Sequence, residues 1–327
     1  MRKVFKRISI VLAFAIVVGV FAGIAPAQAS QPLKAAMITP QKLGDDGPID
    51  ALYAGLQQGA EEFGYTVKLL EPESGEYEDA FRAMADDGYT LIFSIFSQMQ
   101  DAVSRVAWEY PDVKFVQIQG DLEMDNVKTL NFKDQELSFL GGVAAANMTQ
   151  TGKIAAIAGA PVGDNIRNIA GFLAANPDIT VKHLYVGSFE DPTKGKELAN
   201  ILLNEGYDMI LQICASSSMG IREAVLEWGP DAYMIGNCVD ESLAIPGQVP
   251  FSHFTNYGKW VVNTMSEYAA GEFKNGVFFE GLKEEVVDIV YASAELVEIP
   301  QEVKDLVEEY KQKIIDGEIV PPATLDN

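Results

Sequence analysis

Apolar residues recur along this chain in two alternating rhythms, short continuous runs and helically spaced sets, and that alternation predicts an α/β fold. Strand-like runs begin near Ala35, Val67, Leu91 and Phe115, and again near Ile154, Val181, Met209 and Tyr233. Helical spacing marks Glu78–Asp87, Gln100–Tyr110, Thr193–Glu205 and Met219–Trp228, and Gly88, Gly206 and Gly229 follow three of these as C-terminal caps. Two such layouts of similar length predict two doubly wound parallel-sheet lobes whose strands end at a common cleft. Between them a strand over Val127–Phe132 leads into a helix over Gln135–Met148, whose small-residue run Gly141–Ala146 suits close packing at the join.

The last third breaks the rhythm. Phe251–Thr255 and Glu285–Tyr291 read as strands, Tyr257–Ala270 and Gln301–Asp316 as helices, the latter capped by Gly317. A chain that finishes its second lobe and returns to its first needs such extra elements. The expected division is residues 30–134 with about 257–327 in the first lobe and 135–256 in the second, joined by a hinge near Phe132–Glu136 and Pro250–Asn256.

The first strand-to-helix loop carries the densest candidate chemistry. Lys34–Pro40 reads as a buried strand, and Ile49, Leu52, Tyr53, Leu56, Ala60 and Phe63 form one helical face ending at Gly64. Pro48 then occupies the first helical position, where its missing N–H costs nothing. Asp45 and Asp46 stand at the positive end of this helix, where a carboxylate either caps the backbone or helps to hold a ligand.

Composition narrows the setting. Arg2, Lys3, Lys6 and Arg7, the apolar run Ile8–Ile24 and the small-x-small triplet Ala27-Gln28-Ala29 form a signal peptide over residues 1–29, with cleavage near Ala29 into the periplasm. Removing it takes away four of 24 basic residues and none of 47 acidic ones, so the formal charge moves from −23 to −27. Nucleic acid and anionic membrane surfaces are poor partners for such a chain. No later segment is apolar for long enough to span a bilayer. Cys214 and Cys238 both end strand patterns; neighbouring parallel strand ends rarely offer disulfide geometry, which favours two free thiols. Catalysis finds little support: His183 and His253 are the only histidines, no zinc-ligand spacing occurs, and the nucleophile-elbow, P-loop and dinucleotide fingerprints are missing. No enzyme, cofactor or metal is expected.

Four blocks carry a family resemblance: Tyr110–Phe115 (YPDVKF), Phe132–Gly142 (FKDQELSFLGG), Val186–Glu197 (VGSFEDPTKGKE) and Ile315–Pro321 (IDGEIVP). With them the chain resembles the basic membrane protein, or purine nucleoside receptor, family of ABC-transporter periplasmic solute-binding proteins. The resemblance implies a type I periplasmic binding fold and a monomeric receptor that closes on a small molecule and delivers it to an ABC permease. Nucleoside-binding members usually carry Asp-x-(Ser/Gly)-Phe-Asn in the first loop. Here Asp45 keeps the acid, while Pro48 and Ile49 replace the stacking ring and the amide. Asn168 replaces a second family aromatic ahead of Gly171-Phe172.

Other residues complete the candidate ligand site. Phe96, at the end of the third strand, is a replacement wall, whereas Phe93 and Tyr53 read as core. Asp240 retains one acid of a family Asp-x-Asp pair. Lys259 matches a family lysine that either meets ligand or pairs with Asp240 or Asp45. Ser216 and Ser217 either donate from the cleft wall or cap a helix. The candidate set is therefore Asp45, Asp46, Phe96, Asn168, Ser216, Asp240 and Lys259. The expected ligand is a nucleoside or nucleobase-like compound; the alternatives are a smaller sugar, polyol or other polar metabolite, or a ligand-sensing role in place of transport.

Overall fold

The computed structural model describes residues 33–44, 47–176 and 178–325, so the leader and the two acids Asp45 and Asp46 lie outside the described residues. Five parallel strands come first: β1 (Lys34–Ile38), β2 (Thr66–Leu70), β3 (Leu91–Ile95), β4 (Lys114–Ile118) and β5 (Val127–Phe132). Each is short and, β2 apart, nearly continuous in buried side chains, as a sheet covered on both faces requires. Helices α1 (Pro48–Phe63), α2 (Tyr77–Asp86) and α3 (Gln100–Glu109) connect the first four. Gly47 precedes Pro48 at the α1 start, and Gly64, at φ 75°, ends the helix where the periodicity predicts.

The chain then passes through α4 (Asp134–Met148) into a second parallel sheet of β6 (Lys153–Ala158), β7 (Thr180–Tyr185), β8 (Met209–Ile213) and β9 (Tyr233–Ile235). Helices α5 (Gly163–Ala174), α6 (Pro192–Asn204) and α7 (Ser218–Trp228) connect these strands. Asp191 caps α6, its side chain accepting from the Lys194 amide at 2.9 Å. The remaining elements are β10 (Phe251–Thr255), α8 (Tyr257–Ala269), β11 (Gly276–Glu280), β12 (Val287–Tyr291) and α9 (Gln301–Ile315).

The first sheet runs β2-β1-β3-β4-β5-β11 and the second β7-β6-β8-β9, all parallel. Strand β11 returns to the first sheet beside β5, while β12 pairs antiparallel with β10, which touches the second sheet through a Gly236–Ser252 bridge. Neither α5 nor β11 follows from the sequence reading: α5 is interrupted by polar Asn165, Arg167 and Asn168, and β11 offers only Val277-Phe278-Phe279 as an apolar signal.

The largest hydrophobic cluster joins one face of both sheets, from Phe93 and Leu130 to Ala156 and Leu211, through Leu137, Leu140, Phe251, Trp260 and Val303. The opposite faces have their own clusters, α2 and α3 over the first sheet and α6 and α7 over the second. Phe132 stacks on Trp260 at 3.6 Å between centroids, and Tyr257 meets Phe132 edge-on at 5.1 Å. The cysteines are free, Cys214 buried and Cys238 half-buried.

Small residues set the closest helix approaches. A Cβ at Gly55 of α1 would lie 2.4 Å from the Gly258 carbonyl oxygen of α8. Gly141 of α4 gives its side-chain space to His253 of β10, whose Nε2 lies 2.0 Å from the Cβ position. His253 is fully buried, neither ring nitrogen has a partner among the described residues, and burial pushes its pKa from 6.5 down to about 3.

Two outcomes follow. Gly55→Ala should destabilise by about 1–3 kcal/mol from overpacking, although alanine is intrinsically the better helix former by ~1 kcal/mol; urea denaturation measures the sign. For His253, the unfolded chain binds a proton that the folded chain refuses. Stability from this group is therefore constant above pH 6.5 and falls between 6.5 and about 3. The slope approaches about 1.4 kcal/mol per pH unit, and denaturation of His253→Met beside the parent at pH 7.5 and pH 5 should show a shallower acid loss in the variant.

Candidate functional site

In a doubly wound sheet, ligands bind beyond the carboxyl ends of the strands where the strand order reverses. The first sheet reverses between β1 and β3, so its crevice is bordered by residues 39–44 after β1 and by Phe96, which directly follows β3. The second reverses between β6 and β8, bordered by Gly159–Val162 and Cys214–Ser217. Phe189, in the loop after β7, lies across this second border. A Cβ on Gly159 would sit 2.3 Å from its ring, so glycine there is what admits the phenyl group. The ring remains 39% exposed, unusual for a phenylalanine with a core to join.

Backbone strain gathers at the same strand ends. Phe96 (φ 68°), Gln119 (φ 62°), Ala215 (φ 48°) and Cys238 (φ 71°) are four of the five non-glycine residues with positive φ among those described, and they follow β3, β4, β8 and β9 respectively. Such conformations cost of order 1–3 kcal/mol each and persist only where surrounding contacts hold them. At the ends of β3 and β4 the holder is Gln117, a fully buried amide. Its Nε2 donates to the carbonyls of Phe96 at 3.0 Å, Ile118 at 3.1 Å and Gln119 at 3.0 Å, while its Oε1 accepts from Ser94 Oγ at 2.8 Å. Asn131 of β5 grips the next residue, accepting from the Gly120 amide and donating to the Gly120 carbonyl.

The second sheet uses a carboxylate. Glu241 accepts from Gln212 Nε2 at 2.8 Å, the Asn237 amide at 3.1 Å and Arg222 at 3.0 Å, and its own amide donates to Ser252 Oγ. This anchors the loop that contains Cys238. Ser217 adds a link between the loops after β7 and β8, accepting from the Asp191 amide and donating to the Ser188 carbonyl.

Between the two sheets lies a polar cluster drawn from four elements. Asp134, at the start of α4, receives Arg167 Nη2 at 2.8 Å and Nε at 3.0 Å on the same oxygen, Oδ2. Asp164, on the same α5 turn as Arg167, places a second carboxylate within electrostatic reach of Asp134. Tyr257 of α8 approaches Cys238 Sγ at 3.9 Å, and both feel the two aspartates. Burial pushes Asp134 up to about 7, Arg167 opposing and Asp164 assisting the rise. Burial likewise pushes the Cys238 thiol up to about 12 and the Tyr257 phenol well above its ordinary value.

The sequence-expected residues divide accordingly. Phe96 borders the first crevice, and Ser216, exposed in the turn after β8, borders the second. Asp240 is exposed after β9 and accepts from the Ser242 amide at 2.9 Å. Asn168 is buried between α4 and α5, accepting from Ser138 Oγ at 2.7 Å and donating to the Asp164 carbonyl. Of the two expected partners of Lys259, Asp240 is replaced by Glu285, whose loop turns back beside the first turn of α8. Asp45 and Asp46 fall outside the described residues. The reading missed Phe189, Gln119, Asp134, Asp164 and Arg167. Of these, Phe189 carried a signal, an aromatic residue flanked by Ser188 and Glu190 in a loop.

Lys259 and Val239 line a cavity of about 550 Å³ between α1 and α8, with Gln58, Phe254, Tyr257 and Asn263. A second cavity of about 350 Å³ under α8 holds Lys128 paired with Glu267 at 2.7 Å and Trp260 Nε1 bonded to Glu280 at 2.7 Å. No three His, Cys, Asp or Glu side chains among the described residues are grouped to hold a metal ion, and no described helix is long and apolar enough to cross a membrane.

Gln117→Met keeps the side-chain length and deletes four hydrogen bonds. It should cost about 2–3 kcal/mol in urea denaturation, and more than Ser94→Ala, which removes one of them.

Comparison with known proteins gives consistent likenesses. Residues 33–324 match the model of a family described as ABC transporter substrate-binding protein, PnrA-like. A basic membrane protein A2 of Borrelia garinii is 29% identical over 278 residues, covering 82% of each chain. An ABC transporter nucleoside-binding protein of Lactococcus lactis is 29% identical over 320 residues, covering 89% of each. Among solved structures, an ABC transporter solute-binding protein of Aeropyrum pernix aligns with a TM-score of 0.72 and 25% identity over 90% of this chain and 94% of its own.

Proposed function

Since the chain belongs to the PnrA-like family of ABC transporter substrate-binding proteins, we propose that it captures a nucleoside or nucleobase-like solute between its two sheets and presents it to an ABC permease. The observation that carries this reading is an aromatic ring at each switch point, half-buried Phe96 beyond β3 and exposed Phe189 over Gly159. A planar base stacks well between two such rings, each contributing about 1–3 kcal/mol. These rings stand in for the family aromatics missing at Pro48 and Asn168. The Gln119 side-chain amide, which has no hydrogen-bond partner among the described residues, and Ser216 supply donors and acceptors for base or sugar edges. Likeness to the nucleoside-binding protein of Lactococcus lactis supports the same class of ligand.

Capture works by closure about the crossings between sheets, at Lys133, at Asn256 and between β11 and β12. The pairing of β12 with β10 and the packing of α9 on α4 favour counting residues after about 286 with the second lobe, and the 257–280 segment with the first. The receptor acts as a monomer in the periplasm after loss of its leader, and binds without turnover.

A second reading, a smaller sugar or polyol, draws on Asn168, whose amide is already bonded and offers no stacking face. One experiment separates the two. Small molecules released from the denatured, purified protein are identified by mass spectrometry, and adenosine, guanosine, inosine, glucose and ribose are then titrated by calorimetry. A nucleoside should bind, and Phe189→Ala and Phe96→Ala should each weaken it by roughly 5-fold to 150-fold. Saturable binding of a sugar with no nucleoside binding would overturn the first reading.

A further inference from the structure

Among the described residues, three buried side-chain amides each donate to three backbone carbonyls. Asn126 reaches those of Ala107, Tyr110 and Val113, and Gln248 those of Val225, Gly229 and Ala232. Both serve the joints from α3 to β4 and from α7 to β9, at the edges where strands begin. Gln117, the third, lies at the opposite edge, beside the crevice. Two of its three acceptors are the carbonyls of Phe96 and Gln119, residues held at φ 68° and 62°. The other is Ile118, whose carbonyl also accepts from the Phe96 amide at 2.9 Å, so both residues converge on one peptide. Gln117 Oε1 accepts from the Ser94 hydroxyl at 2.8 Å, and a reversed amide would aim that oxygen at three carbonyl oxygens. One orientation of the amide is therefore enforced.

We propose that Gln117 is the positioning residue for the first-sheet half of the site: it fixes the Phe96 ring and the Gln119 amide relative to each other, so that one flat solute meets both at once. The two residues are chemically unlike and come from different strands. Phe96 offers a half-buried ring; Gln119, also half-buried, carries a side-chain amide with no hydrogen-bond partner among the described residues. A ring alone would suit any apolar plane, and an amide alone would suit any hydroxyl. Held together, they select a heteroaromatic base, whose face stacks while its rim supplies donors and acceptors. Gln117 itself is fully buried and acts only through these two neighbours. Without it, two residues in strained conformations lose the contacts that hold them and relax separately. Ligand must then order each of them on binding, and affinity falls by that cost.

This role rests on the nucleoside-capture reading, so one arm of its test needs no ligand. In ¹⁵N-labelled Gln117→Met, hydrogen exchange at the Phe96 and Gln119 amides should quicken together, by roughly tenfold beyond any change at Phe93 and Val116 in the strand centres. Gln248→Met deletes three similar bonds at the far edge and should leave that ratio at its parent value. Ser94→Ala removes the hydroxyl that orients Gln117 and should quicken the same two amides less, which keeps the test decisive if Gln117→Met does not fold. Parent-like exchange at either amide in the folded variant would overturn the proposal whatever the ligand is. In the second arm, calorimetry measures whichever of adenosine, guanosine or inosine binds. Affinity should fall roughly tenfold in Gln117→Met and stay at the parent value in Gln248→Met. Phe96→Ala and Gln119→Ala should each cost less in the Gln117→Met background than in the parent. Equal losses in the two backgrounds would also overturn it. Failure of all three nucleosides to bind would count against the ligand reading alone, since the exchange measurement stands apart from it.

Discussion

Four positive-φ residues at the ends of β3, β4, β8 and β9 set the terms for the rest of this protein. Side chains that must leave a parallel sheet at its carboxyl edge and turn towards a shared crevice adopt backbone conformations that the chain resists. The fold therefore places a buried polar group beneath each sheet's edge to hold them. In the first sheet a neutral amide, Gln117, fastens the carbonyls of Phe96 and Gln119. In the second a carboxylate, Glu241, gathers Gln212, Asn237 and Arg222. Both devices are buried or nearly so, where an incomplete hydrogen-bond set would be costly.

The consequence is that each sheet's edge is held by contacts of its own. Phe96 and Phe189 belong to different sheets and are supported by different contacts, Gln117 for one and Gly159 for the other. At the start of α4, Asp134 is held through one oxygen by two Arg167 donors, whereas Glu241 is held by donors from three residues.

Most of the architecture was legible from hydrophobic spacing, because buried parallel strands read as continuous apolar runs and their connecting helices as amphipathic ones. Helix α5 escaped because its polar residues face other groups inside the protein: Asn168 bonds Ser138 and Arg167 bonds Asp134, so the expected outward polar face does not exist. Strand β11 escaped because an edge strand of five residues with an exposed Phe279 lacks both length and alternation. The site was legible in part. Phe96 stood out as an aromatic residue at a strand end, whereas its positive φ, and that of Gln119, come from tertiary contacts that no local pattern encodes. Lys259 was expected either to meet ligand or to pair with an aspartate, and its partner, Glu285, comes from a loop 26 residues further on.

Whether both sheets contribute to one ligand site at their strand ends is tested most directly by a crystal structure of the protein with its copurified or added nucleoside bound. Planar ligand density within stacking distance of the rings of both Phe96 and Phe189 is the expected result. Density confined to the α1–α8 cavity beside Lys259, with both rings free of contact, would contradict it.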